Sequence, residues 1–290
     1  MPITQSFKAM GSPCELYLDG LAQGLALPLL QMAQREVQAL EQKYSRYLPG
    51  SLLSQWHGGD WHQLDEESAG LFAYADACFE QSDGLFDPSS GILRQAWDFK
   101  SGDCNPDLIE SLLPKVGWQK LERKDNQLRI PKGMAIDFGG IVKEYAADKV
   151  ASLWLNSGVR HGLVNLGGDI RAIGAMANGQ AWRVGVSDPR NPKNAIVKLS
   201  LVNESLASSG DYQRVLTLAG KRYSHMLSPF TGWPVSGLQA VSVKAPLCVV
   251  AGSMSTIAML KGAEGLSWLA DQTDDYFAVD SAGDAIGYKN

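Results

Sequence analysis

The stretch from Met134 to Asp148, Met-Ala-Ile-Asp-Phe-Gly-Gly-Ile-Val-Lys-Glu-Tyr-Ala-Ala-Asp, most constrains what this chain can build. Ala135 and Ile136 read as the end of a strand. Asp137 follows, then the pair Gly139-Gly140, then a segment of helical character from Ile141. Apolar residues at 146, 150, 153 and 154 share one face of that helix. A strand that breaks at paired glycines and enters a helix leaves backbone N–H groups free beside a carboxylate, and such a helix start attracts phosphate. Asp137 and Lys143 add one charge of each sign at the same place. The pattern also describes an ordinary tight turn, so its meaning depends on what the rest of the chain brings to it.

With 290 residues the chain can hold one large domain or two small ones. Hydrophobic residues at 45% and charged residues at 20% are the balance of a soluble globular protein. A net charge of −5, with no Lys/Arg-rich block, disfavours non-specific nucleic-acid binding. Cys14, Cys78, Cys104 and Cys248 include no C-x-x-C spacing. Cys78 and Cys248 lie in apolar runs and read as buried thiols. The first residues lack an apolar core of signal-peptide length, and no run of about 18 apolar residues occurs, so we expect a cytoplasmic protein without a membrane span.

Along the chain, Gly11-Ser-Pro13 reads as a turn entering a strand that ends near Leu18. Leu25 to Tyr44 has helical periodicity through Leu29, Met32, Ala33, Val37 and Leu40, a core face. Pro49-Gly50 breaks the chain after Tyr47, which reads as core or as a platform for a planar ligand. Glu66 to Ser82 is a second amphipathic helix, stopped by Asp83-Gly84. In the loop from Leu85 to Gly91, the carboxylate of Asp87 could bind a ligand or cap the next turn. Residues 103–123 read as irregular, with a short helix near Leu108–Leu113. Gly162 to Gly174 reads as strand, Gly-Gly turn, strand. Trp182–Asp188, Ala195–Leu201 and Ala240–Ala245 are further strands. The stretch Ser205 to Arg214 packs small polar residues around a glycine. His225 stands just before a Pro/Gly turn, and Val249 to Leu260 reads as a helix beginning near Ala251.

Six motifs in this order carry a resemblance: Ser45-Arg-Tyr with Ser51, Gly84-Leu-Phe-Asp-Pro88, Asp137-Phe-Gly-Gly-Ile-Val-Lys143, Asn165-Leu-Gly-Gly-Asp169, Ser209-Gly-Asp-Tyr-Gln-Arg214, and Ser224-His-Met-Leu-Ser-Pro-Phe-Thr-Gly232. Together they resemble the ApbE family of flavin transferases (FAD:protein FMN transferases) over about residues 5 to 288. The resemblance implies one compact α+β domain, residues 1–290, of antiparallel sheet pieces with flanking helices. It implies FAD as substrate, Mg²⁺ as the bound ion, and an acceptor protein that takes FMN on a Thr or Ser. Carried over, Met10, Tyr47, Leu85, Phe86, Asp87, Asp137, Lys143, Asp169 and Ser224 would meet the cofactor. Gly140, through its carbonyl, and Thr256 would hold the ion. His225 would take the acceptor's proton or steady the phosphate, with Asp211 as runner-up.

Two positions depart from the family pattern. Gly252 stands where an Asp is expected four residues before Thr256, and Glu144 stands where Gly is common. Ser253 and Ser255 could offer neutral oxygens instead. The departure at Gly252 leaves open a flavin-binding protein that has lost transfer, and a metal-dependent FAD pyrophosphatase differs from the transferase only in its acceptor. Gly252→Asp is expected to restore a charged oxygen, unless Gly252 is there because no side chain fits.

Overall fold

A computed structural model describes residues 1–99, 101–212, 215–218 and 221–287. Eight strands form its main sheet: β1 (Ile3–Ala9), β2 (Ser12–Leu18), β3 (Gly162–Leu166), β4 (Asp169–Ile173), β5 (Ser205–Gly210), β6 (Leu238–Ala245), β7 (Tyr276–Asp280) and β8 (Ala285–Gly287). Each pairs antiparallel with the next along the chain. Spatial order therefore equals chain order. Each long excursion leaves the sheet and returns to the neighbouring strand. The longest, residues 19–161, separates β2 from β3, yet Leu18 pairs with Gly162.

The first hairpin turns at Met10 and Gly11, with φ of 52° and 70°. Two positive φ values in succession give a two-residue loop whose twist matches the strands. The turn thus falls earlier than Gly11-Ser-Pro13, and Ser12 and Pro13 belong to β2. The Gly-Gly turn between β3 and β4 forms as expected.

Side chains alternate across a strand, so one sheet feeds two cores. Val164, Leu166, Ala207, Val241, Val243 and Ala278 face the first. Four helices build that side: α1 (Gln23–Tyr44), α2 (Glu66–Gln81), α3 (Val142–Asn156) and α4 (Cys248–Lys261). α3 packs on β3 and β4, α4 on β5 and β6, and α1 on α3 and β1. Leu163, Ile170, Ala172, Leu206, Ala240 and Phe277 face the other way. A hairpin of Trp182–Asp188 and Asn191–Leu201 covers them with Trp182, Val184, Val197 and Leu199. A third cluster, including Leu93, Trp97, Ile109 and Leu227, supports the segment from Pro88 to Val116.

The structure corrects one further reading and completes another. Ala135 and Ile136 are not in a strand. The nearest strand ends at Arg129, and a turn in which Met134 N donates to Pro131 O follows it. The Ile136 N–H then donates to His57 Nε2 at 2.9 Å, and that of Asp137 to Pro88 O at 2.9 Å. The chain enters α3 from an extended loop tied to its surroundings one bond at a time. Ser205–Gly210, conversely, is a strand inside the sheet. Its residues are small because α4 lies directly on it. Among the described residues no helix is long and apolar enough to cross a membrane.

Candidate functional site

A cavity of about 370 Å³ opens at the turn ends of these elements. That volume lies within the range of small-molecule sites, about 300–1,000 Å³. The β1–β2 turn contributes Met10, and the end of α1 runs on into Arg46 and Tyr47. The loop after α2 contributes Leu85, Phe86 and Asp87, and the α3 entry contributes Asp137, Gly140, Lys143 and Glu144. Ser208 and Ser209 come from β5, His225 from the chain after it, and Thr256 from α4. Ten of the thirteen expected site residues thus meet: Met10, Tyr47, Leu85, Phe86, Asp87, Asp137, Gly140, Lys143, His225 and Thr256. Five of the six motifs supply lining residues. The sixth reaches the cavity through Asp169, whose Oδ2 lies 2.5 Å from Lys143 Nζ.

Three expected residues stand outside the lining. Asp169 lies behind Lys143 and also accepts from Ser208 N at 3.4 Å. Ser224 is buried, and its hydroxyl accepts from Met226 N at 3.3 Å. Asp211 follows Gly210, its N–H donating to Gln239 O at 2.9 Å. Gln213 and Arg214, the end of that motif, lie outside the described residues.

The acidic residues at the rim hold backbone. Asp87 Oδ1 accepts from the N–H and hydroxyl of Ser89 at 2.7 and 2.6 Å, and Oδ2 accepts from Trp118 N at 3.0 Å. Asp87 thus forms the cap, and it also lines the cavity. Burial pushes its carboxyl up, against the pull of these donors. Asp137 Oδ1 accepts from Gly139 N at 2.9 Å, while Oδ2 lies 3.2 Å from Arg46 Nε and 3.8 Å from Arg94 Nε. A Cβ on Gly91 would fall 2.4 Å from Asp137 Cβ, so the two loops close only because residue 91 has none.

Arg46 and Arg94 are cavity residues that the sequence did not single out. Arg46 sits inside the Ser-Arg-Tyr motif, where only Tyr47 was chosen; Arg94 follows an apolar pair with no motif to mark it. Arg46 lies 4.5 Å over the Tyr47 ring and donates to its hydroxyl at 2.6 Å. Tyr47 is 70% exposed, so it is a rim residue and not core. At the floor, burial works against the charge of Lys143, but the carboxylates of Asp169 and Glu144 outweigh it and hold the lysine protonated.

α3 and α4 cross beside that lysine. Asp148 of α3 accepts from Cys248 N and Val249 N at the start of α4, both at 2.9 Å. One turn back along α3 is Glu144; one turn on along α4 is Gly252. A Cβ on Gly252 would meet Glu144 Cγ at 2.5 Å and Cδ and Oε1 at 3.0 Å. The Glu144 side chain therefore occupies the space a side chain at 252 would need. A larger residue at 252 fits only if the Glu144 side chain moves. Burial and the facing Asp169 push the Glu144 carboxyl upward. Ser253 and Ser255 are engaged elsewhere: Ser253 Oγ donates to Val249 O at 2.8 Å, and Ser255 Oγ to Gly252 O at 2.9 Å.

Among the described residues no three His, Cys, Asp or Glu side chains gather into a metal cluster. An ion here would rest on mixed oxygens. Gly140, Thr256 and Glu144 line the same cavity, and Glu144 Oε2 is buried without a hydrogen-bond partner among the described residues. Mg²⁺ keeps several waters and is held by one or two carboxylates with substrate phosphates. A carbonyl, a hydroxyl and one orphaned carboxyl beside a cavity lined by Arg46, Arg94 and Lys143 fit it.

Arginines, a charged lysine and close-approach glycines around one cavity, set on an antiparallel α+β fold, make a site for an anionic ligand. A family model described as the ApbE family matches residues 10–279, and the chain belongs to the ApbE family. The chain is 28% identical over 274 residues to the FAD:protein FMN transferase of Salmonella typhimurium, covering 89% of this chain and 78% of that protein. Its fold is similar to the crystal structure of the ApbE protein of Thermotoga maritima, with a TM-score of 0.89 and 25% identity, covering 100% of this chain and 97% of that one. It is also similar to the apo form of the flavinyl transferase ApbE of Pseudomonas stutzeri, with a TM-score of 0.84 and 25% identity, covering 100% and 95%.

Proposed function

We propose that this protein is an FAD:protein FMN transferase. It binds FAD in the cavity and moves FMN onto a hydroxyl of an acceptor protein, a Thr or Ser. The observation that carries this reading is the convergence of the ordered motifs on one cavity. Arg46, Arg94 and Lys143 line the cavity, and their positive charge is what a pyrophosphate would need. Tyr47 and Met10 offer the rim and turn surfaces for the planar part of the ligand.

The acceptor hydroxyl attacks the phosphorus on the FMN side. A new P–O bond forms, the P–O bond to AMP breaks, and AMP leaves with the electron pair. His225 lines the cavity and takes the hydroxyl proton. Gly140 and Thr256 would hold Mg²⁺, which when bound would neutralise charge on the phosphate oxygens. A flavin binder without transfer was suggested by the missing carboxylate at 252. Glu144 in that space removes its motive.

The test has two arms. Flavin fluorescence titrated with micromolar FAD should change on binding. A Thr-containing acceptor incubated with protein, FAD and Mg²⁺ should gain the mass of FMN, with release of AMP. Binding without mass gain would leave a flavin-binding protein. AMP and free FMN without mass gain would leave a pyrophosphatase. No fluorescence change would sink the reading.

A further inference from the structure

The Glu144 carboxyl is an anomaly for a helix residue so deeply buried. It is 6% exposed, and its Oε2 has no hydrogen-bond partner among the described residues. A buried carboxyl left without a hydrogen-bond partner is costly in either protonation state, and a bound cation would supply the missing partner. The carboxyl lines the ligand cavity together with Gly140, four residues earlier on the same chain segment, and Thr256 on the facing helix. Thr256 Oγ1 is itself held 2.9 Å from Ser209 Oγ, which fixes it at the crossing. Gly252, one turn before Thr256, yields its side-chain space to Glu144. The crossing is pinned one turn away by Asp148, which holds the two helices close at this point.

We propose that Glu144 supplies the charged oxygen of a divalent-cation site, reaching across from α3 into the space left by Gly252 on α4. The proposal rests on the flavin-transfer reading for what the cation would serve, but cation binding itself is measurable without flavin. It also reverses the expectation for position 252. A carboxylate added there collides with one already present, so Gly252→Asp alone lowers stability and does not improve cation binding.

The experiment follows Mn²⁺ binding to flavin-free protein by electron paramagnetic resonance, with FAD binding followed separately by fluorescence. The parent should bind Mn²⁺, and Mg²⁺ should compete. Glu144→Gln keeps the shape and removes the charge; its Kd for Mn²⁺ should rise about tenfold or more, as for loss of one charge-assisted contact. Its metal-free unfolding temperature should match or exceed the parent's. The exchange variant Glu144→Gly with Gly252→Asp moves the carboxylate to the other helix and should bind Mn²⁺ within a few-fold of the parent. An unchanged Kd in Glu144→Gln, or no Mn²⁺ binding by the parent with or without FAD, overturns the proposal. If Glu144→Gln does not fold, the exchange variant decides alone, and its failure to bind overturns the proposal. FAD binding with Glu144-independent Mn²⁺ binding sinks the proposal and spares the flavin reading. Glu144-dependent Mn²⁺ binding without FAD binding does the reverse.

Discussion

At Asp137 one carboxylate oxygen is committed to the Gly139 N–H and the other faces Arg46 and Arg94. The residue orients the arginines that line the cavity and fixes the glycine turn beside them. Its neighbour in function, Lys143, is aimed in the same way by Asp169 from behind the cavity wall. This explains why Asp169 was legible as a site residue yet does not line the site. A sequence shows that a carboxylate belongs to a motif; it does not show which side of a lysine it stands on. The two departures from the family pattern, at 144 and 252, lie about a hundred positions apart and touch. Read singly, each looked like a loss, because the contact that relates them exists only in three dimensions. For His225, which lines the cavity, His225→Ala should leave FAD fluorescence titrations nearly unchanged. Transfer should drop about 10²–10⁴-fold, the usual contribution of a positioned base. Equal transfer rates in parent and variant would make the residue structural.

Among the elements, the helices were readable and the loops that aim them were not. Val37 and Leu40 repeat at helical spacing and are buried as that spacing requires. Ala135 and Ile136 look like a strand because they are apolar, but the Met134–Pro131 turn has already ended the pairing. Asp148 gave no signal beyond its charge, although it joins α3 to α4. Asp148→Ala removes two charge-assisted bonds to the first N–H groups of α4. The expected cost is about 1–3 kcal/mol in urea unfolding, with weaker Mn²⁺ binding because the crossing is released. A stable variant with parental Mn²⁺ affinity would show that packing alone sets the crossing. Glu67 of α2 ties three elements: its carboxylate accepts from Lys43 of α1 at 2.7 Å, from Tyr145 of α3 at 3.0 Å and from Lys149 of α3. Burial opposes its ionisation, but Lys149 and Lys43 outweigh it and hold the carboxyl below its usual value of 4.5. A depressed carboxyl stabilises the fold above that value and loses the contribution as pH falls below it. Glu67→Gln should therefore melt lower than the parent at pH 7, and the gap should narrow below pH 4.5. A gap constant across that range would contradict the assignment.

For the whole molecule, the antiparallel α+β architecture was legible only through the resemblance that the six ordered motifs carry, and the structure has it. The layer on the second face of the sheet was not. Trp182–Asp188 and Ala195–Leu201 read as strands, but nothing in their alternation says that they leave the sheet and lie across it. Only the inward set of Leu163, Ile170, Ala172 and Phe277 shows that a second core needed covering.

The sequential order of the sheet has a kinetic consequence through the excursion of residues 19–161. Leu18 and Gly162 must meet before β2 and β3 can pair, and closing so long a loop is the slow, entropically costly event. The cavity draws on both sides of that seam: Met10 precedes it, α1 and α3 lie within the excursion, and Ser209 and Thr256 come after it. The cavity is not complete until the seam is shut. FAD should therefore leave the refolding rate unchanged and slow unfolding in proportion to its occupancy, because it stabilises only what lies beyond the transition state. Stopped-flow refolding and unfolding with and without FAD would test this, and FAD-accelerated refolding would place the cavity before the seam.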